Sequence, residues 1–488
     1  MRSRKQKALC HSAEAMEVRQ VPAANITASL NGGVLRIEGT DRNDTICVLQ
    51  NDVTGNVWVG SVPGGQNYGS FTGSKVNRIE IMGLGGDDRI DLRGTNRAHP
   101  VKVPTKVWGD RATEQASDGN DRIFGGNGSD QIRSGGGNDW IDAEAGNDTI
   151  DGGSGNDEIY GGDDKDWIKG GQGKDSLYGQ AGQDTLISID AAFSDWADGG
   201  SGADFLWIDS AKSKDTASNV ASEDVVQRVA GFQYNVDLTL DGDRIDDPSA
   251  PDYSNRNFDS LKLFSEKGPS VKDIHQGKLN DCWLLSAMGE IALRNPQIIR
   301  SGIVDFGDGT FGVKLGDKFY RIDGDLPVGK DGKQAFAGMG TDGSAWVALY
   351  EKAFAYHRSW TTRRYSDLHW GWCSEAFKAF GISSQMTDLK AVSPIGLMDA
   401  MNLSWAAGGH LTVASKVGDA KSVLVTNHAY MVVGFVRSNS LPTVIAIKLR
   451  NPWGTDGGTL NDGNNDGLVT LTISQFFDSV RAIESAFV

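Results

Sequence analysis

The chain has 488 residues, enough for roughly two to four domains, and its 39% hydrophobic content is ordinary for a soluble protein. A net charge of −16 argues against nucleic acid as a partner, because phosphate binding needs a basic surface, and no run of about eighteen apolar residues offers a membrane span. The four cysteines, Cys10, Cys47, Cys282 and Cys373, form no CxxC pair and no dense framework, which argues against a disulfide scaffold or a structural zinc site, while 63 glycines call for either disorder or a repeat with glycine at fixed places.

Residues 1–25 open with Met1-Arg2-Ser3-Arg4-Lys5, but no apolar stretch of the signal-peptide kind follows, so they are expected to be disordered or a targeting segment of another kind. Residues 26–110 alternate apolar and polar in places, as in Leu35-Arg36-Ile37-Glu38, and hold irregular glycine–aspartate turns at 39–46 and 85–90. This predicts a β-rich cap on, or extension of, the segment that follows.

Across 111–208 a strict period of nine appears: aspartate stands at 121, 130, 139, 148, 157, 166, 175 and 184. Two residues after each comes an aliphatic: Ile123, Ile132, Ile141, Ile150, Ile159, Ile168, Leu177 and Leu186. Glycines fill the turns ahead of most of these aspartates, where the absence of a Cβ permits φ > 0. Two repeats make one coil, so Asp121, Asp139, Asp157 and Asp175 are expected to stack on one edge and Asp130, Asp148, Asp166 and Asp184 on the other. Stacked carboxylates with turn carbonyls are hard oxygen ligands suited to Ca²⁺, with room for roughly six ions, and without the cation they repel. The pattern resembles RTX nonapeptide repeats, a resemblance that implies a parallel β-roll. Ala143-Glu144, Asp164 and Gln180 replace repeat glycines and mark edges expected to bind weakly. A further irregular copy follows at 199–206, with Asp204.

Residues 209–257 lose the period, are rich in Ser, Asp, Lys and Asn, and contain the breaker Asp246-Asp247-Pro248, which predicts a linker. From 258 to 488 tryptophan becomes frequent; a helical stretch at 345–354 and strand-like runs at 429–435 and 444–449 give an α+β layout. Asp462, Asn464, Asp466 and Gly467 match the opening of an EF-hand loop, but Ile473 stands where the closing glutamate belongs, so this stretch reads as a solvated turn.

The chemistry gathers in three places. Cys282 lies in Gln276-Gly277-Lys278-Leu279-Asn280-Asp281-Cys282-Trp283, ahead of an apolar helix that Asn280 or Asp281 can cap. A helix N-terminus and a nearby imidazolium favour thiolate, and Gln276 can aim its amide at the same carbonyl oxygen as the Cys282 N–H, the layout of an oxyanion hole. Taken alone, such a cysteine is more often a buried core residue. The other two places are Asn427-His428-Ala429-Tyr430 and Arg450-Asn451-Pro452-Trp453-Gly454, lying 146 and 23 residues along from the preceding site (Cys282 to His428, His428 to Asn451).

These three boxes resemble those of the calpain family of cysteine peptidases, with Asn427 where the family has glycine. The resemblance covers about 260–488. It implies a two-lobed papain-like core, with Cys282 as nucleophile, His428 as acid–base, Asn451 orienting it, Gln276 in the oxyanion hole and Trp453 covering the His–Asn bond. It also matches Asp273 to an acidic calcium ligand of the core. The expected activity is therefore calcium-associated cleavage of proteins and peptides, with no nucleic acid partner, no membrane span and the oligomeric state left open. The alternatives are a calcium-dependent adhesive protein with an idle catalytic half, or a transglutaminase-like acyltransferase. Weak calcium sites fill outside cells, so an extracellular or surface location on a bacterium is expected.

Overall fold

The computed structural model describes residues 26–487 apart from 62–64, 95–99, 112–117, 211–214, 236–244, 259–260, 341, 359–361, 393–395, 420, 439–442 and 461–463. The expected N-terminal segment 1–25 and Asp462 lie outside the described residues. The chain divides after Gly231 into two compact units.

In the first unit each nine-residue repeat yields one short strand, and successive strands go alternately to two ten-stranded sheets. Ile132, Ile150, Ile168 and Leu186 stand in register through one sheet, and Ile123, Ile141, Ile159 and Leu177 through the other, so one coil spans eighteen residues. All eight side chains are fully buried and form the core between the sheets. The pairing is parallel, as a coil that returns to the same side every turn requires. Glu144, Asp164 and Gln180 keep the left-handed turn of the glycines they replace, with φ of 72°, 79° and 77°, a conformation that strains a residue with a Cβ.

The strands of 26–110 extend these same sheets. Val34–Thr40, Arg78–Leu84 and Thr105–Asp110 lead in parallel into Asp130–Gly136, and Thr45–Gln50 and Arg89–Asp91 lead into Arg122–Phe124. Antiparallel strands close that end: Thr27–Asn31 on one sheet, Val57–Gly60 and Asn67–Phe71 on the other. The linker expected over 209–257 is corrected. Thr216–Ser218 and Val225–Val229 pair in parallel with the preceding strands and add a further coil to the roll. Residues 245–258 belong to the second unit, where Ser254–Asn257 pairs with Asp325–Val328.

The second unit has two hydrophobic clusters. One surrounds the helix Cys282–Arg294, which is buried along nearly its whole length, and takes in the helix Trp346–Arg358 and a three-stranded sheet over 303–323. The other lies against a six-stranded antiparallel sheet, ordered Ser383–Asp388, Val480–Phe487, His410–Ser415, Ala429–Arg437, Val444–Arg450 and Leu468–Thr472. Among the described residues no helix is long and apolar enough to cross a membrane.

Candidate active site

Cys282 opens its helix without a side-chain cap from Asp281, and the main-chain N–H groups of Ala429, Trp283 and Cys282 itself act on its thiol. Ala429 begins the strand Ala429–Arg437, and His428 is the residue just before it. The His428 N–H donates to Ser415 Oγ at 2.8 Å, which fixes the turn. That turn explains the exchange at Asn427: its φ is +54°, a left-handed conformation in which glycine is at ease and asparagine is tolerated better than most residues.

The His428 imidazole lies with Nε2 2.9 Å from Asn451 Oδ1. Asn451 is fully buried; its Nδ2 donates to the Asp456 carbonyl at 3.0 Å and its Oδ1 also accepts the Trp453 N–H at 3.0 Å, so the carboxamide has one orientation. Trp453 packs its ring 4.7 Å from the imidazole, centroid to centroid. The Gln276 N–H donates to the Pro452 carbonyl at 2.8 Å, which ties the cysteine segment to the asparagine segment. The Gln276 side chain donates from Nε2 to the Leu279 carbonyl at 2.6 Å. Beside His428 a cavity of about 380 Å³ opens, walled in part by Trp283, Trp370, Trp372 and Arg481.

Burial pushes the Cys282 thiol up to about 11, the neighbouring N–H groups opposing it only in part, and burial pulls the His428 imidazole down to about 4 against the hydrogen bond that its ring N–H donates to Asn451 Oδ1. Desolvation thus works against the charged forms that the helix start favours. Asp273 is buried. Its Oδ2 accepts from Trp346 Nε1 at 2.8 Å and from the Ser270 N–H at 3.0 Å, closing a capping box, and among the described residues no cluster of three acidic, histidine or cysteine side chains includes it. The one such cluster, Asp247, Asp323 and Asp325, holds the buried ammonium of Lys352, which donates to Asp247, to Asp323 and to the Asp325 carbonyl.

In the roll the aspartates form two ladders. Each N–H donates to Oδ1 of the aspartate one coil on: Asp121 to Asp139 (2.7 Å), Asp139 to Asp157 (2.8 Å) and Asp157 to Asp175 (2.8 Å) on one edge. The other edge runs Asp130 to Asp148 (2.7 Å), Asp148 to Asp166 (2.8 Å) and Asp166 to Asp184 (2.9 Å). Oδ2 of Asp121, Asp139, Asp148, Asp157, Asp166, Asp175 and Asp184 is buried with no partner. Asp130 differs, because Thr105 and the Gly126 N–H occupy both of its oxygens.

A scan with protein-family models matches residues 254–463 to the calpain family cysteine protease and residues 115–150, 151–186 and 191–207 to the RTX calcium-binding nonapeptide repeat. The chain carries a calpain-family protease domain behind a run of RTX repeats. Relatives of the calpain domain include the calpain-1 catalytic subunit of Mus musculus, 31% identical over 39% of this chain, and calpain-8 of Homo sapiens, 32% identical over 38%. The calpain-1 catalytic subunit of Bos taurus is 30% identical over 42% of this chain. The chain covers only 28–30% of the length of these relatives.

The repeat residues fit calcium. A Cβ at Gly152, Gly161 or Gly170 would stand 2.5 Å from Oδ2 of Asp157, Asp166 or Asp175, so each glycine keeps a space into which a carboxylate oxygen projects. Buried, uncompensated hard oxygens of this kind suit Ca²⁺, whose charge would offset their repulsion. The ladders run further than the nine-residue period. Asp175 continues to Asp195 and Asp215, Asp184 to Asp204 and Asp224, and upstream Asp44 and Asp88 lead to Asp121. Asp195, Asp215 and Asp224 escape the period because these coils are twenty residues long; the apolar residue two places on, Ala197, Ala217 or Val226, is the signal that finds them.

Proposed function

We propose that the calpain domain is a cysteine endopeptidase in which Cys282 is the nucleophile, His428 the general base and acid, Asn451 the orienting residue, and Gln276 with the Cys282 N–H the oxyanion donors. The observation that carries this reading is the buried His428–Asn451 hydrogen bond, at 2.9 Å, one residue from the N–H that meets the Cys282 sulfur. From neutral thiol and imidazole, the thiol proton passes to His428 as sulfur attacks the peptide carbonyl, so charge appears only when the substrate has displaced water. The oxyanion is met by the Cys282 N–H and by the Gln276 carboxamide. His428 then protonates the leaving amine, and a water that it activates hydrolyses the thioester. Trp453 shields the His428–Asn451 bond, which keeps one tautomer.

Calcium held by the RTX repeats stabilises the roll, and such sites fill at extracellular concentrations, which supports action outside a bacterial cell or on its surface. Casein cleavage by purified protein with and without calcium tests the activity. Cys282→Ala should abolish cleavage while the folded fraction is kept, and a thiol-reactive epoxide should label Cys282 alone among the cysteines. Cleavage by the alanine variant would remove the nucleophile assignment; incorporation of an amine into a glutamine-bearing protein in place of hydrolysis would assign the site to acyl transfer.

A further inference from the structure

Asp281 precedes the nucleophile and opens its helix, yet its side chain makes no capping bond. An aspartate in that place ordinarily accepts from the second or third helical N–H. Here the carboxyl is fully buried, it makes no bond to the helical N–H groups, and the Gln276 carboxamide and the carboxyl of Glu351 lie against it. Glu351, from the helix Trp346–Arg358, is itself buried, and its two oxygens accept the Ala337 N–H at 3.2 and 3.0 Å. The nearby ammonium of Lys352 is spent on Asp247, Asp323 and Asp325.

Two carboxylates are acceptors only, so in contact they repel unless a proton lies between them. Burial raises both, Asp281 to about 6 and Glu351 well above the usual carboxylate range, which favours that proton. We propose that Glu351 is a positioning residue of the peptidase site: sharing a proton with Asp281, it holds the Asp281 carboxyl away from the helix start and keeps the Gln276 carboxamide seated beside Cys282. The N–H groups of Cys282 and Trp283 then stay directed at the sulfur. Without Glu351 the Asp281 carboxylate swings to cap the helix, where it competes for the N–H groups that the oxyanion needs and repels the developing negative charge. The proposal rests on the endopeptidase reading.

The test uses the full chain in calcium, with Glu351→Leu, Glu351→Gln and Asp281→Asn, concentrations normalised to folded protein by thermal melting. Casein cleavage gives kcat and KM, and iodoacetamide alkylation of Cys282, followed on its peptide by mass spectrometry, gives a readout independent of turnover. Glu351→Leu should lower kcat about ten- to a hundredfold with KM changed by no more than about twofold, and slow alkylation in parallel. Glu351→Gln and Asp281→Asn, whose amide N–H replaces the shared proton, should keep kcat and alkylation within about threefold. Wild-type kcat and alkylation in Glu351→Leu would overturn the proposal, as would a loss in Glu351→Gln equal to that in Glu351→Leu. Should Glu351→Leu not fold, the two amide variants decide: retention supports the shared proton, and a fall of about tenfold in either refutes it. If the wild type cleaves nothing, the endopeptidase reading fails while the alkylation contrast still decides the positioning role.

Discussion

Removing calcium should unfold the roll at neutral pH and leave it folded in mild acid. Burial, with the neighbouring aspartates, pushes Asp157 and Asp166 up to about 8 and Asp121 and Asp148 up to about 9, from an ordinary 3.8. Because the folded values are raised, the folded state holds these protons more tightly than the unfolded one. The resulting penalty is absent below about pH 4 and grows as pH rises towards the folded values. At pH 7 the gap from 3.8 is worth about 4 kcal/mol per carboxyl. Four such groups match or exceed the ~5–15 kcal/mol by which a domain is usually stable. A cation between the carboxylates removes the penalty by favouring the charged form. Amide hydrogen exchange on the full chain resolves the roll from the calpain domain. In chelator at about pH 7.5 the amides of 118–209 should exchange at nearly unfolded rates, and either millimolar calcium or a shift to about pH 4.5 should restore protection. Full protection in chelator at neutral pH would refute the reasoning.

Three further outcomes are expected. Gly152→Ala sets a Cβ 2.5 Å from both Asp157 Oδ2 and the Gly170 carbonyl, so calcium titration should show weakened binding and the roll should lose ~1–3 kcal/mol. Lys352→Met strands the carboxylates of Asp247 and Asp323 without their cation and should cost the calpain domain ~3–5 kcal/mol, read as a lowered Tm. Since burial holds His428 near 4 rather than 6.5, and the base must be neutral to act, kcat/KM should persist well below pH 6.5 and fall only as pH approaches the histidine's own value.

Much of this was legible because two of its signals are local. An aspartate followed two places on by an aliphatic, every nine residues, dictates both the strand face and the edge, and the eight aliphatics are all buried. The boxes at Cys282, His428 and Asn451 are each short; the His428 and Asn451 boxes meet through the hydrogen bond from the imidazole to Asn451, and the Ala429 N–H acts on the Cys282 thiol. Other features are set by distance in space. Inserted residues before Asp195 and Asp215 break the period while leaving the ladder whole, so a fixed spacing reads 209–230 as linker. The polar stretch around Asp247 is held by Lys352, more than a hundred residues away. The protonation of Cys282 depends on desolvation, which a helix N-terminus in a sequence does not reveal.

The strand Val480–Phe487 follows the short helix Ile473–Ser479 and lies inside the six-stranded sheet, between Ser383–Asp388 and His410–Ser415. Its neighbour His410–Ser415 pairs in turn with the strand that begins beside His428. A ribosome making this chain therefore releases the whole repeat region, the cysteine helix and all three boxes before the sheet beneath the histidine can close. A truncation removing this strand should therefore yield a protein with an intact roll and an unfolded calpain domain.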